Sequence, residues 1–264
     1  MKAVRVVNKA TPKPILSFIY SAFCSSFASV ASSSILSAIA FDTEFQFDKI
    51  HIEGIQNVLA EDIAYANGLG YQVKHLALAV KTRKGLELRV HPALIPLHHI
   101  LASVDGVVNA ILVEGDLSGP LMFSGAGAGG DATASAVISD IIDVASALHI
   151  NGTGAMALRS EKLSDYPISA ITESVSGYYV RVDAKDRPGV LAEISRVLAS
   201  FNVSIEAIQQ KEAREVASAK VPIVILTGRM TESAIREVCE ILASSDGIFG
   251  SVVCYKVEDF QWLA

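Results

Sequence analysis

The stretch Ser124–Asp131, SGAGAGGD, places Gly125, Gly127, Gly129 and Gly130 in one short segment of a 264-residue chain. Glycine lets a ligand approach the backbone, and a loop that opens a helix aims N–H groups and the positive end of the helix dipole at whatever lies above it. GPLMFSG before the loop reads as a strand, and the apolar spacing after Asp131 reads as a helix, so the arrangement suits a cofactor contact. The spacing, however, is G-x-G-x-G-G and not G-x-G-x-x-G, no acidic residue closes a strand about 20 residues on, and Asp131 brings negative charge to the helix start. A pyrophosphate cradle is a poor reading, and a tight packing turn with Asp131 as N-cap is the alternative.

Other reactive side chains lack the spacing that chemistry requires. His91, His98 and His99 have no metal-ligand pattern and read as surface or satisfied histidines. Glu61 and Asp62 read as first-turn acids complementing a helix dipole, not as a catalytic pair. Ser135 and Ser139 lie on a helix without a G-x-S-x-G elbow. No catalytic residue and no metal site is predicted. The second notable loop is Asp186-Arg187-Pro188-Gly189-Val190-Leu191, where Pro188 stiffens a turn and the following helix start offers N–H groups to a carboxylate.

The elements around these loops follow from periodicity. LAEDIAYANGL (59–69) is a short helix closed by Gly68 and Gly70. Residues 71–92 form a hairpin about Lys84-Gly85, with Leu86, Leu88 and Val90 inward and Glu87, Arg89 and His91 outward. NAILVEGD and GPLMFSG supply two further strands, and Ala134, Val137, Ile138, Ile141, Ile142, Ala145 and Leu148 mark a helix. In 178–258, YYVRVDA is a strand, and a helix follows with Val190, Leu191, Ile194, Val197, Leu198 and Phe201 on its inner face. VSIEAIQQK and VPIVILTG are strands, Thr231 caps a helix carrying Ile235, Val238, Ile241 and Leu242 inward, and GSVVCYKV closes a βαββαβ order. The fold class is α+β, a mixed sheet with helices followed by a ferredoxin-like module.

With 51% hydrophobic and 19% charged residues, the chain can bury a core and divides into two domains. A formal charge of −6 without a basic run excludes a phosphate-backbone partner such as nucleic acid. Cys24, Cys239 and Cys254 include no CxxC pair, which fits a reducing, cytoplasmic compartment. From Pro14 to Phe41 there is no charge, and Lys2, Arg5, Lys9 and Lys13 precede that run. This is the layout of a signal peptide or membrane anchor, but its many serines and the abrupt change near Ile35 also fit a segment foreign to the fold, such as a shifted reading frame.

The strand, DRPGVL and FNVSI together resemble an ACT domain, a sensor of small molecules in amino-acid metabolism. The resemblance implies an amino-acid effector site formed by Asp186, Arg187, Gly189, Val190, Leu191 and Asn202 at an interface between paired domains. FDTEFQFDKIHIEGI, VHPALIPLHHILASVDGVVNAILVEGD and GAGAGGDATASAV, with the region to the C-terminus, resemble the second half of bacterial homoserine dehydrogenase. That family reduces aspartate 4-semialdehyde to homoserine with NADPH or NADH, in threonine and methionine biosynthesis. By resemblance Gly125, Gly127 and Gly129 contact NADP or NAD, threonine is the effector, and the chain forms a homodimer or larger homo-oligomer in the cytoplasm without a membrane.

The divisions expected are an unmatched leader (1–34), a partial substrate domain (35–150), a linker (151–176) and the ACT domain (177–264). The family's Rossmann domain is not found, and extending the match upstream puts Ser32 where a catalytic lysine is expected. Serine carries no charge and is a weak acid, so hydride chemistry by this chain alone is not expected. The other reading is a stand-alone, ACT-type regulatory protein that binds an amino acid and acts on a separate enzyme.

Overall fold

The computed structural model describes residues 3–8, 34–41, 43–44, 47–82, 84–115, 117, 119–127, 129–149, 166–210 and 220–258. Cys24, Ser32 and most of the apolar leader lie outside the described residues. The chain forms two compact units: one of 1–54, 75–91 and 103–168, the other of 55–74, 92–102 and 169–264.

In the first unit, strand β1 (Ala3–Asn8) pairs antiparallel with both β3 (Tyr71–Lys81) and β5 (Val108–Gly115). The opening residues are thus a strand between two others. β5 pairs antiparallel with β6 (Gly119–Ala126), and β2 (His51–Ile52) runs parallel to β4 (Leu86–Pro96). Helix α1, residues 34–41, packs Phe41 against Ile50, Ala77, Ala79, Leu86, Leu88 and Val90, and Ala38 is buried as well. The expected inner face of β4 is therefore correct. The expected outer face is not: Arg89 and His91 are buried too, with Arg89 Nε donating to His91 Nε2 at 3.0 Å and its guanidinium paired with Glu87. Alternation told which residues share a face, but a sheet covered on both sides hides its polar row as well.

Helix α3 (Gly130–His149) follows β6 as expected, yet none of its 20 residues is buried. Ile141 is 61% and Leu148 75% exposed, so the apolar stripe read from the sequence faces outward.

The second unit contains the ferredoxin-like module. Its strands are β7 (Val175–Lys185), β8 (Ile205–Gln210), β9 (Lys220–Thr231) and β10 (Ile248–Val257), in the order β10-β7-β9-β8 with antiparallel pairing. Helices α4 (Val190–Ser200) and α5 (Glu232–Ala243) cover one face. Tyr178, Val180, Val182 and Ala184 of β7 meet Val190, Ile194, Leu198, Ile235, Val238 and Leu242 there. Leu191 and Ile241, read as inward, are each 40% exposed, because they flank the stripe and do not centre it. Thr231 caps α5, its hydroxyl accepting from the Ala234 N–H at 3.3 Å.

The opposite face of β7 carries a layer that sequence pattern did not foresee. Helix α2 (Ala60–Gly68) sits in this unit, and the last residues of β4 pair parallel with β10 through Ala93↔Lys256 and Leu94↔Val257.

Candidate functional site

The three glycines read as cofactor contacts have three different local reasons to be glycine. Gly125 lies in β6 opposite Asn109, where a Cβ would meet nothing within 4 Å. Gly127 donates its N–H to the Val107 carbonyl at 2.7 Å, and a Cβ there would collide with the Asn109 amide. Gly129 has φ +133°, a conformation that side chains avoid, and its carbonyl accepts from the Thr133 N–H and hydroxyl at 3.1 and 2.9 Å. Neither packing nor positive φ explains Gly125, which leaves open backbone of the kind a ligand can approach. Gly129, Gly130, Thr133, Ala134, Val137 and Ile138 line an open groove of about 720 Å³ at the start of α3.

Asp131 is not the N-cap. It stands inside the first turn, where a carboxylate still complements the helix dipole. The loop thus combines unshielded backbone with an acid, a poor cradle for two phosphates but compatible with a ribose or nicotinamide edge, where the acid has no anion to repel.

At the other loop, Gly189 is the N-cap of α4 in a left-handed conformation (φ 96°), and no side chain caps the first-turn N–H groups. Those donors are the anion-binding feature of the loop. Around them Arg187 reaches Glu193 and Asp246 at 3.3 Å each, and Lys185 reaches Asp246 at 2.8 Å. The hydrogen bond and charge of Lys185, with Arg187 behind them, hold the Asp246 carboxyl below its ordinary pKa. A zwitterion would find N–H donors for its carboxylate and the acids Glu193 and Asp246 for its ammonium group.

Asp186, Arg187 and Gly189 are exposed together, and Leu191 follows them on the surface. Val190 is buried in the core between sheet and helices, so its backbone alone faces the loop. Asn202 is elsewhere. It terminates α4 in the left-handed conformation (φ 56°), with its N–H on Ala199 O at 2.9 Å and Val203 N–H on Leu198 O at 3.2 Å. That is a Schellman end, for which Asn is suited. The 11-residue helix α4 lies between it and Gly189, a separation of about 20 Å at 1.5 Å per residue. One chain does not bring them together.

Sequence reasoning missed a buried polar cluster on the outer face of β7. Asp62, expected only to complement the dipole of α2, caps that helix through Leu59 N–H at 3.3 Å and also accepts Arg181 Nε at 2.6 Å and Tyr179 OH at 2.9 Å. Arg181 further meets Glu61 at 3.1 Å and Asp183 at 3.3 Å. Burial opposes the Arg181 charge, but the hydrogen bond and charge of Asp62 outweigh it and raise its pKa. Burial, then Asp62, raise Tyr179 as well. On the inner face, Glu232 receives Lys256 at 2.5 Å, Arg236 at 2.9 Å and Tyr178 OH at 3.0 Å. Burial pushes Glu232 upward, yet Lys256 and these hydrogen bonds bring it down to about 2.

Of the histidines, His91 is satisfied by Arg89, His98 is exposed, and His99 Nδ1 accepts the Leu101 N–H at 3.3 Å. Among the described residues no group of three or more His, Cys, Asp or Glu could hold a metal ion. Among them, too, no helix is long and apolar enough to cross a membrane.

Residues 26–142 match the homoserine dehydrogenase family model, and residues 178–243 match the ACT domain model. The chain carries a homoserine dehydrogenase domain followed by an ACT domain. It is 43% identical to homoserine dehydrogenase of Pseudomonas aeruginosa over 86% of this chain and 53% of the relative. With the Corynebacterium glutamicum homoserine dehydrogenase it shares 35% identity over 80% of this chain and 47% of the relative. The crystal structure of a homoserine dehydrogenase from Thiobacillus denitrificans superposes with a TM-score of 0.80 at 33% identity, covering 100% of this chain and 64% of that one. The chain spans about half the length of the curated relatives it matches.

Proposed function

We propose that this chain supplies the substrate-domain sheet and the amino-acid-sensing portion of a homoserine dehydrogenase, the NAD(P)-dependent oxidoreductase that interconverts aspartate 4-semialdehyde and homoserine. The carrying observation is the order of the two matched domains on a fold that superposes along its whole length with a homoserine dehydrogenase. NADP or NAD would supply the hydride. The backbone at Gly125 and Gly129 would close against the cofactor, with Gly127 holding the loop in shape through Val107 and Asn109. The described residues contain no dinucleotide-binding β-α-β unit, and in this reading hydride transfer depends on such a domain.

The effector in this reading is an amino acid, threonine first among them, taken by Arg187, Gly189, Leu191 and the backbone of Val190, with Asp186 beside them. Asn202 of a second copy would complete the site in a homodimer, since the Asn202 of one chain lies at the far end of α4. A cytoplasmic location accompanies this reading.

The test is purification of the chain followed by two measurements, NADPH consumption with aspartate 4-semialdehyde and calorimetric titration with L-threonine. Threonine binding with no turnover, and turnover on adding a dinucleotide-binding domain of a relative, is the expected pair. Absence of threonine binding would remove the sensor half of the reading. A second reading, a stand-alone amino-acid-binding regulator, is favoured by the burial of the inner faces of α4 and α5 in the second unit, whereas no residue of α3 is buried. Threonine binding with no rescue by any dinucleotide-binding domain would select it.

A further inference from the structure

We propose that the β7–β10 strand pair is a lever that carries the state of the 185–191 loop to Ile55–Leu69 and to the end of β4, with Asp62–Arg181 as its grip. This rests on reading that loop as an effector site.

The two strands frame the loop at one end. Lys185 N–H donates to Gly247 O at 2.8 Å, Ala184 pairs with Ile248, and Lys185 and Arg187 both hold Asp246. A Cβ on Gly247 would stand 2.8 Å from Glu193 Oε2 and 3.2 Å from the Val190 methyls, so the first turn of α4 rests directly on the start of β10. Anything that displaces Arg187, Glu193 or Asp246 therefore presses on these strand ends.

Farther along, the same strands grip segments outside the matched ACT residues. Arg181 of β7 clasps Asp62 by Nε at 2.6 Å and by its second nitrogen at 3.4 Å, and Tyr179 adds its hydroxyl. Tyr255 of β10 donates to Asn57 O at 3.0 Å and stacks on Tyr179 with ring centres 5.8 Å apart. Glu258 N–H donates to Leu94 O at 2.9 Å beside the parallel β4 pairing. Between the loop and these contacts the β7–β10 register shifts between Phe249 and Val253, and Gly250 has φ +71°.

The chemistry of the grip suits transmission. Asp62 is fully buried and Arg181 nearly so. A buried ion pair adds little net stability over a well-packed apolar pair of the same size, but its strength depends steeply on geometry. A small shift of β7 therefore changes how firmly α2 is held.

The experiment is amide hydrogen exchange across residues 60–69 of the full chain, with and without L-threonine, followed by each other standard amino acid if threonine gives no heat of binding. A several-fold change in α2 exchange on binding is expected in the unaltered protein. Asp62→Asn is expected to bind the same amino acid within about 3-fold and to lose that change; Arg181→Lys, which keeps the charge but not the two-pronged contact, is the variant to use if Asp62→Asn does not fold. Binding with unchanged α2 exchange, or a response that persists in both variants, overturns the lever and leaves the sensor standing. No binding of any amino acid removes the sensor reading and the lever with it.

Discussion

Helices α3 and α5 have the same kind of apolar stripe, and the molecule treats them oppositely. In α5, Ile235, Val238 and Leu242 are packed into the core with α4 and the inner face of β7. In α3, Val137, Ile138, Ile141, Ile142 and Leu148 are all exposed. Periodicity states that a helix will form and where its apolar side lies. It does not state what covers that side, because the cover comes from residues distant in sequence or from outside the described residues.

The sharpest way to break this contrast is to cut the core that covers α5 and the stripe of α3 and to compare the cost. Leu198→Ala in α4, next to α5 in the same core, should lower unfolding stability by about 2–5 kcal/mol, since a fully packed leucine leaves a cavity. Urea unfolding of the full chain measures it, and a loss under about 1 kcal/mol would mean that the core is looser than its packing.

Acid offers a second discriminator. Glu232 is held down at about 2 from an ordinary 4.5, so its contribution is complete above the ordinary value and disappears as pH falls from about 4.5 to 2. Glu232→Gln should flatten that part of the stability profile, at some cost near neutrality because Lys256 loses its buried partner. An unaltered acid slope in the variant would contradict the pairing.

A smaller effect is expected at the cap of the same helix. Thr231→Ala removes the acceptor for Ala234 N–H and should lower stability by about 1 kcal/mol, restored in part by Ser or Asp. The smallest belongs to α3: Ile141→Ala should move stability by less than about 0.5 kcal/mol, as for an exposed substitution. A loss near that of Leu198→Ala would show that α3 is covered in solution.

Much of the 186–191 loop was legible because it is local. Asp186 to Leu191 are consecutive, and Pro188 and Gly189 announce a turn into a helix. Asn202 was legible as part of FNVSI but not as a helix terminus one full helix away, since only the left-handed backbone reveals that duty. Around the glycine loop, strand and helix were legible, whereas the different reasons for Gly125, Gly127 and Gly129 depended on Asn109 and on backbone angles. Arg89 and His91 alternate as an exposed row would, and only a second covering layer put them inside.

The sequence alone determined the elements from 59 onward, the βαββαβ order, the Thr231 cap and the two loops where chemistry could occur, because each depends on neighbours within a few residues; β1 at Ala3–Asn8 was not among them. Tertiary structure alone decided that Asp62 meets Arg181, 119 positions away, and that Tyr178 and Tyr179 send their hydroxyls to opposite faces, to Glu232 and Asp62. It also packed Cys239 and Cys254 against the same core, which no CxxC spacing announced. Side chains on one strand alternate by local geometry, but the partner each one finds is set by which distant segment the sheet and its layers bring alongside.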